Sequence, residues 1–422
     1  MIRVSIASVL LRVDADRLRA DFDALGAIGA TGDGGVDRET FSAAHLAARA
    51  WFHERAAAAG LETRIDGAAN HSAVLASRDP AARTLLLGSH LDSVRRGGRF
   101  DGALGVVCAL EVLRAVQDSG LDLPVSLEAV DFTDEEGTLI STFGSLALAG
   151  RLTSDDLAGP RCGRDLLVAE LARMELGEEG ILGARRDPAS LAGYLELHIE
   201  QGPVLEQAGI DIGIVTGIVG ASSFSVIFEG AARHAGTTPM GNRRDAAVGA
   251  AAFVLGVRET AANGFPGCVA TVGNITTLPG SFNVVPGRAV LRLECRALSS
   301  SRLAALEQAL IERAHSDAES FGLDVTVERV GHVDPAPTDA QARSAFESAA
   351  TDLGLTTMEL ASGAGHDTQS LAAITPSGMV FVPSKRGVSH DAAEETAWAD
   401  CLNGANVLLN TAVRLAEDTR RQ

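Results

Sequence analysis

Thr84-Leu85-Leu86-Leu87-Gly88-Ser89-His90-Leu91-Asp92 is the stretch that decides the fold. An apolar run of strand length ends abruptly in a polar loop loaded with reactive side chains. A second run, over residues 125–132, ends in Thr133-Asp134-Glu135-Glu136-Gly137. Between the two, residues 103–116 place Leu104, Val107, Leu110 and Leu113 at helical spacing, just after a Gly-rich turn. Strand, helix, strand, with the chemistry at the strand ends, describes a parallel α/β sheet whose site lies along its carboxyl edge. A third such strand, residues 193–197, runs into His198-Ile199-Glu200-Gln201-Gly202-Pro203.

Moving outward, the middle of the chain changes character. Residues 223–228 and 289–295 alternate as half-buried strands, and residues 323–330 read as a third. Residues 243–262 and 302–321 are amphipathic helices. That order, β-α-β-α-β, is similar to a split-βαβ sandwich inserted as one unit. The organisation expected is therefore a catalytic domain in two pieces, residues 1–216 and 332–422, interrupted by an α+β domain at residues 217–331. Residues 378–383 add another short buried strand before a loop holding His390 and a terminal helix over residues 402–416. The length of 422 residues agrees, because one hydrophobic core stops growing at about 250–300 residues.

Composition narrows the function classes. With 46% hydrophobic and 22% charged residues the chain is globular, not disordered. Its net charge of −19 repels phosphate backbones and anionic lipid, so neither nucleic acid nor membrane is expected as a partner. The five cysteines are scattered without any CxxC, which suits reduced thiols and a cytoplasmic location. Residues 4–11 are too short for a signal peptide and are followed by Arg12, Asp14 and Asp16; a short strand or extended arm is expected there.

Among ten histidines, His45, His53, His315, His71 and His332 read as solvated surface residues, the first three on helices and the last two in loops. His90, His198 and His390 differ, since each follows an apolar run. With Asp101 and the Glu135-Glu136 pair they suggest a two-metal centre, because zinc-like ions take imidazole and carboxylate ligands and need one bridging carboxylate. Asp101, between Gly97-Gly98-Arg99-Phe100 and Gly102, suits the bridge, for the glycines let the backbone turn close to the ions. Adjacent Glu135 and Glu136 point different ways in an extended loop, one toward a metal and one toward substrate as general base. In the inserted domain, His234, Asn283 and Arg296 are donors suited to an oxyanion or a carboxylate, each weak alone.

Together, Gly88-Ser89-His90-Leu91-Asp92-Ser93-Val94, Gly97-Gly98-Arg99-Phe100-Asp101-Gly102 and Glu135-Glu136-Gly137 resemble the M20 metallopeptidase/amidohydrolase superfamily. His198-Ile199-Glu200-Gln201-Gly202-Pro203 narrows the resemblance to its carbamoylase branch, since the peptidases and aminoacylases generally carry a carboxylate where His198 stands. Gly363-Ala364-Gly365-His366-Asp367 and Ser389-His390 complete the pattern. The resemblance implies two divalent ions per subunit (Zn²⁺, Mn²⁺, Co²⁺ or Ni²⁺), one held by His90, Asp101 and His198 and the other by Asp101, Glu136 and His390. It implies Glu135 as general base, Gln201 and His366 lining the pocket, and Asn283 and Arg296 on the substrate carboxylate. His234 would stabilise the oxyanion across a homodimer interface, and the inserted domain would be a lid and dimerisation domain.

The activity so implied is hydrolysis of the carbamoyl C–N bond of an N-carbamoyl-L-amino acid to amino acid, CO₂ and ammonia. Allantoate or ureidoglycine hydrolysis is the nearest alternative, followed by a dipeptidase or deacylase and by a silent ligand-binding dimer. The chain departs from the branch after the Glu pair, reading Thr138-Leu139-Ile140 where an Arg-Phe pair is usual, and it has Asp134 in place of the usual Asn. Asp66-Gly67-Ala68-Ala69-Asn70 also departs from the usual form.

Overall fold

The computed structural model describes residues 10–160 and 162–419, so most of the 4–11 arm lies outside the described residues. The chain divides into two compact units, one made of Met1–Thr216 with Thr338–Gln422 and one of Gly217–Pro337.

The first unit is built on a nine-stranded mixed sheet. Its centre is four parallel neighbours: Ser126–Phe132, Thr84–His90, Leu191–Ile199 and Ser377–Val382. His71–Leu75 on one flank and Ile212–Ile218 on the other pair antiparallel. The central strands are buried along nearly their whole length, which is why apolar residues stand on both faces, although buried Glu128, Asp131 and Glu196 interrupt them.

Helix Ala103–Ser119 starts at Gly102 (φ 60°) and stops at Gly120 (φ 69°), conformations that glycine adopts without strain. Leu104, Val107, Leu110 and Leu113 are fully buried in the main core, alongside Val407, Leu408 and Leu409 of the Trp398–Asp418 helix. Truncating one of these leucines to Ala costs about 2–5 kcal/mol. The packing has a functional result: parallel strands held between helices bring His90, Phe132 and Ile199 to the same sheet edge.

The second unit is a four-stranded antiparallel sheet in the order Asp324–Val333, Gly220–Glu229, Arg288–Ala297, Val269–Leu278. Helices Ala246–Gly264 and Ser300–Ser320 bury Phe253, Val257, Leu303, Leu306 and Leu310 in its own core with Phe224, Val226 and Phe228. Its order is β-α-β-β-α-β, one strand more than the sequence pattern indicates. The extra strand, Val269–Leu278, is a largely exposed edge whose register slips opposite Arg292 and Leu293, so no clean alternation marks it.

Three histidines also differ from expectation. His45 is fully buried, its Nδ1 accepting the Phe41 N–H at 2.9 Å near the start of its helix. His71 lies on a strand with Nδ1 2.7 Å from His53 Nε2, and His332 also lies on a strand. Short-range polarity suggested loops, but cross-strand pairing decided otherwise. Among the described residues no helix is long and apolar enough to cross a membrane.

Candidate metal centre

Four segments of the first unit converge at the carboxyl edge of the parallel strands. His90 ends one strand and His198 sits near the end of another, both about 1% exposed. Asp101 comes from the turn that opens helix Ala103–Ser119, and His390 from a loop after the last strand, at φ 57°. A Cβ at Gly102 would lie 2.4 Å from the His90 ring, and one at Gly98 1.9 Å from the Glu394 carboxylate. Only glycines let Asp101 come this close.

Two groups of ligand atoms result, each mutually within 4.8 Å: His90, Asp101, His198, and Asp101, Glu136, His390. Asp101 belongs to both. Its Oδ1 lies 3.0 Å from His198 Nε2 and 3.6 Å from His90 Nε2, while Oδ2 lies 3.3 Å from His390 Nε2. Glu136 Oε2 is 3.4 Å from the same His390 nitrogen. Glu135 turns the other way, with Oε2 3.5 Å from His90 Nε2.

The donor chemistry fits divalent cations. His90 Nδ1 faces the Asp92 carbonyl at 3.0 Å and His198 Nδ1 the Ile199 carbonyl at 2.9 Å, so Nδ1–H donates backward and Nε2 is the nitrogen turned toward Asp101, the one available to a cation once its proton leaves. Burial, then the charges of Asp367 and Glu136, push the Glu135 carboxyl well above its usual range; burial, then Asp101 and Asp92, do the same to Glu136. Burial also works to raise Asp101, but His198 first, then His390 and His90, outweigh it and hold that carboxyl well below. Burial opposes charge on His198 too, yet Asp101 and then Glu196 carry it up to about 9. So much mutually repelling carboxylate in a closed space calls for cations.

The model of peptidase family M20/M25/M40 matches residues 86–414. The chain belongs to this family. An N-carbamoyl-L-amino acid amidohydrolase of Geobacillus stearothermophilus is 37% identical over 407 residues, 96% of this chain and 99% of the relative. A ureidoglycolate hydrolase of Arabidopsis thaliana is 32% identical, covering 98% of this chain and 89% of its own. A solved amidase of the hydantoinase/carbamoylase family from Burkholderia multivorans superposes with a TM-score of 0.87 at 34% identity, over 96% of this chain and 98% of that one. These similarities place the chain in the hydantoinase/carbamoylase branch of the M20 family.

Around this M20 centre, Gln201 donates Nε2–H to Asp101 Oδ2 at 2.8 Å, so it touches the shared carboxylate directly. His366 is buried with its ring centroid 4.5 Å from that of His198 and Nε2 2.9 Å from Ser362 Oγ. Burial, then His198, keep it neutral by lowering its pKa well below the usual value.

The second-unit residues are arranged differently. His234 is exposed and pairs with Val284, and the Asn283 carbonyl accepts the Ala235 N–H at 2.9 Å, so these two residues are neighbours. Arg296 sits toward the other end of strand Arg288–Ala297 and pairs with Glu294 at 2.8 Å. Its setting is polar and half-exposed.

Two contributors escaped the sequence reading. Asp92 stood in the quoted motif without a role; its Oδ1 accepts the Glu135 N–H at 3.3 Å and its Oδ2 the Glu136 N–H at 3.2 Å. Glu394 accepts the N–H groups of Phe100 and Asp101 at 3.0 and 3.1 Å through Oε1, and the Ser389 hydroxyl at 3.0 Å through Oε2. It ties the Asp101 turn to the His390 loop, and no apolar strand precedes it to flag it.

Proposed function

We propose that this M20-family chain is a metal-dependent amidohydrolase that cleaves the carbamoyl C–N bond of N-carbamoyl-L-amino acids, giving amino acid, CO₂ and ammonia. One observation carries the assignment. Two imidazole–carboxylate groups share Asp101, with Glu135 beside them, in a chain that aligns almost end to end with an N-carbamoyl-L-amino acid amidohydrolase.

His90, Asp101 and His198 would hold one divalent ion, and Asp101, Glu136 and His390 the other; Zn²⁺, Mn²⁺, Co²⁺ and Ni²⁺ all suit such ligands. Bound there, the ions supply Lewis acidity toward the ureido carbonyl and toward water. Glu135, which belongs to neither group, takes a proton from the attacking water and delivers it to the leaving nitrogen. Gln201 orients Asp101, and His366 lines the pocket as a neutral ring.

Arg296 and Asn283 would bind the substrate carboxylate, and His234 the developing oxyanion. His234 Nδ1 accepts the N–H groups of Gly236 and Thr237 at 3.0 and 3.2 Å, which leaves Nε2–H as an outward donor. His234 and Asn283 lie beyond the Arg288 end of the strand that carries Arg296 near its other end. The eight steps from Arg288 to Arg296 span roughly 26 Å at about 3.3 Å per residue. One amino-acid-sized substrate cannot reach both ends of a single unit. A homodimer in which each inserted unit serves as lid, with His234 and Asn283 donated to the partner, resolves this.

Ammonia release from a panel of N-carbamoyl-L-amino acids, allantoate, ureidoglycolate and N-acetyl amino acids, with Mn²⁺ and Zn²⁺ in turn, tests the assignment. Turnover is expected on N-carbamoyl-L-amino acids. Turnover confined to allantoate or ureidoglycolate moves the substrate assignment toward the Arabidopsis type, and ammonia from none of them sinks it.

A further inference from the structure

Residues 133–144 form a closed loop that carries Glu135 and Glu136. Its two limbs are laced by backbone bonds from Gly144 N–H to the Thr133 carbonyl (2.7 Å), Phe143 to Asp134 (3.3 Å) and Thr142 to Glu135 (3.0 Å). The inside of the loop is filled by one side chain. Asp134, at φ 58° and fully buried, accepts the N–H of Thr138 (2.8 Å) and the hydroxyl of Thr40 (2.7 Å) on Oδ1. Its Oδ2 accepts the N–H groups of Leu139 (2.9 Å) and Ile140 (2.7 Å). Three backbone N–H groups and one hydroxyl surround the carboxylate, and that hydroxyl also reaches Asp92 Oδ2 at 3.2 Å. Compact loops of this kind are packed by their own side chains, and here the packing element is an anion.

We propose that Asp134 is a positioning residue for Glu135 and Glu136: its carboxylate templates the 133–144 loop, and an amide does so less well. The reason lies in donor arithmetic. An Asn at this position keeps one oxygen; with that oxygen turned toward Leu139 and Ile140, its NH₂ can donate to the Thr40 hydroxyl, which in turn reaches Asp92 Oδ2 at 3.2 Å, but it meets the Thr138 N–H donor to donor. The Thr138 N–H would then lose its acceptor, and that turn of the loop would have to open to solvate it. The Glu135 carbonyl, which takes Thr142 N–H and the Ser141 hydroxyl (3.0 Å), sits on the limb that would move. An Asn in this place is therefore not neutral in this chain, whose Thr138-Leu139-Ile140 segment hangs on both carboxylate oxygens.

The catalytic consequence rests on the hydrolase assignment, so the test has one arm that does not. In the metal-free protein, amide hydrogen exchange is read at Thr138, Leu139 and Ile140 for wild type and Asp134→Asn. Exchange about 10-fold faster at Thr138 is expected in the variant, with the rest of the first unit nearly unchanged. In the metal-loaded enzyme, kcat for the best carbamoyl substrate is expected to fall about 10–100-fold with KM nearly constant, the usual size of effect for groups that orient active residues. Thr40→Val serves where Asp134→Asn does not fold. It removes isosterically the hydroxyl that ties Asp134 Oδ1 and Asp92 Oδ2 to residue 40, so the loop is held less firmly and faster exchange at Thr138 with a smaller kcat loss is expected. Wild-type exchange at Thr138 in the variant that folds, or an unchanged kcat, overturns the proposal. Wild-type enzyme inactive on the whole substrate panel overturns the hydrolase assignment instead, and the exchange result still decides the role of Asp134.

Discussion

His90 and His234 both stand where a strand meets a loop, yet the molecule treats them in opposite ways. His90 is buried, its Nδ1 fixed against a backbone carbonyl, and its Nε2 aimed at two carboxylates. His234 is exposed, steadied only by two N–H groups of its own loop. The contrast extends to their companions. Asp101, Glu135 and His198 are buried in the first unit, with Glu136 half-buried and His390 exposed at the rim, whereas Asn283 is exposed and Arg296 half-buried at separate places in the second. Burial organises the His90–Asp101–His198 group within one unit's fold, while the group that ends in His390 opens to the surface. The second-unit residues have no such support.

The hardest blow to the organised side of this contrast is Glu135→Gln. The amide keeps the shape and the Glu135 N–H bond to Asp92 but cannot carry a proton. A kcat loss of about 10²–10⁴-fold is expected with metal content intact, measured by ammonia release and elemental analysis. Near-normal kcat would remove Glu135 from the role of base. Loss of metal along with activity would make it a ligand and erase the division of labour between the two glutamates.

His234→Ala probes the other side and is expected to cost about 10²–10³-fold in kcat, the scale of one oxyanion donor. Mixing is the sharper experiment. When inactive Glu135→Gln and His234→Ala chains are unfolded together and refolded, a dimer that exchanges His234 restores one intact site in each mixed pair. Recovery of up to about a quarter of wild-type activity is then expected from random pairing. No recovery, with mixed dimers present, would put His234 to work within its own chain.

The same contrast explains what could be read without coordinates. His90, Glu135 and His198 were legible because each follows a buried strand whose apolar run stops at a sheet edge, and Asp101 because glycines flank it. Glu394 was not, since its partners Asp101 and Phe100 are nearly 300 residues away and nothing local marks an acid that accepts backbone N–H groups. Strand Val269–Leu278 was missed for a related reason: an exposed edge needs no apolar alternation. The burial of His45 was hidden as well, because a histidine that takes a backbone N–H from the preceding turn resembles any polar residue near a helix start. Local pattern reveals which positions are buried on a sheet and says little about which distant loops will meet.

The smallest expected effect concerns the cost of assembling so many carboxylates. Glu135 and Glu136 have folded pKa values well above the ordinary 4.5, through burial first and neighbouring carboxylates second. An acid raised in this way binds more protons folded than unfolded, so stability declines as pH climbs from 4.5 through the folded values. His198 acts with the same sign. Raised to about 9 against burial by Asp101, its contribution is complete below 6.5 and fades as pH rises through 9. His90 is shifted the other way, but a lowered histidine pKa affects stability only below about 6.5. Between pH 6.5 and 8.5 the metal-free protein should therefore lose Tm, by about 2–4 °C for each kcal/mol on the scale of a mid-sized domain. Divalent cations take over the neutralising role from protons, so the Tm gain on adding Mn²⁺ should be larger at pH 8.5 than at 6.5. A metal-free Tm that rises across this window, or a Mn²⁺ gain that shrinks with pH, would mean that protons and cations do not compete for the same carboxylates. The buried centre would then owe its order to hydrogen bonds such as those of Asp92 and Glu394 alone.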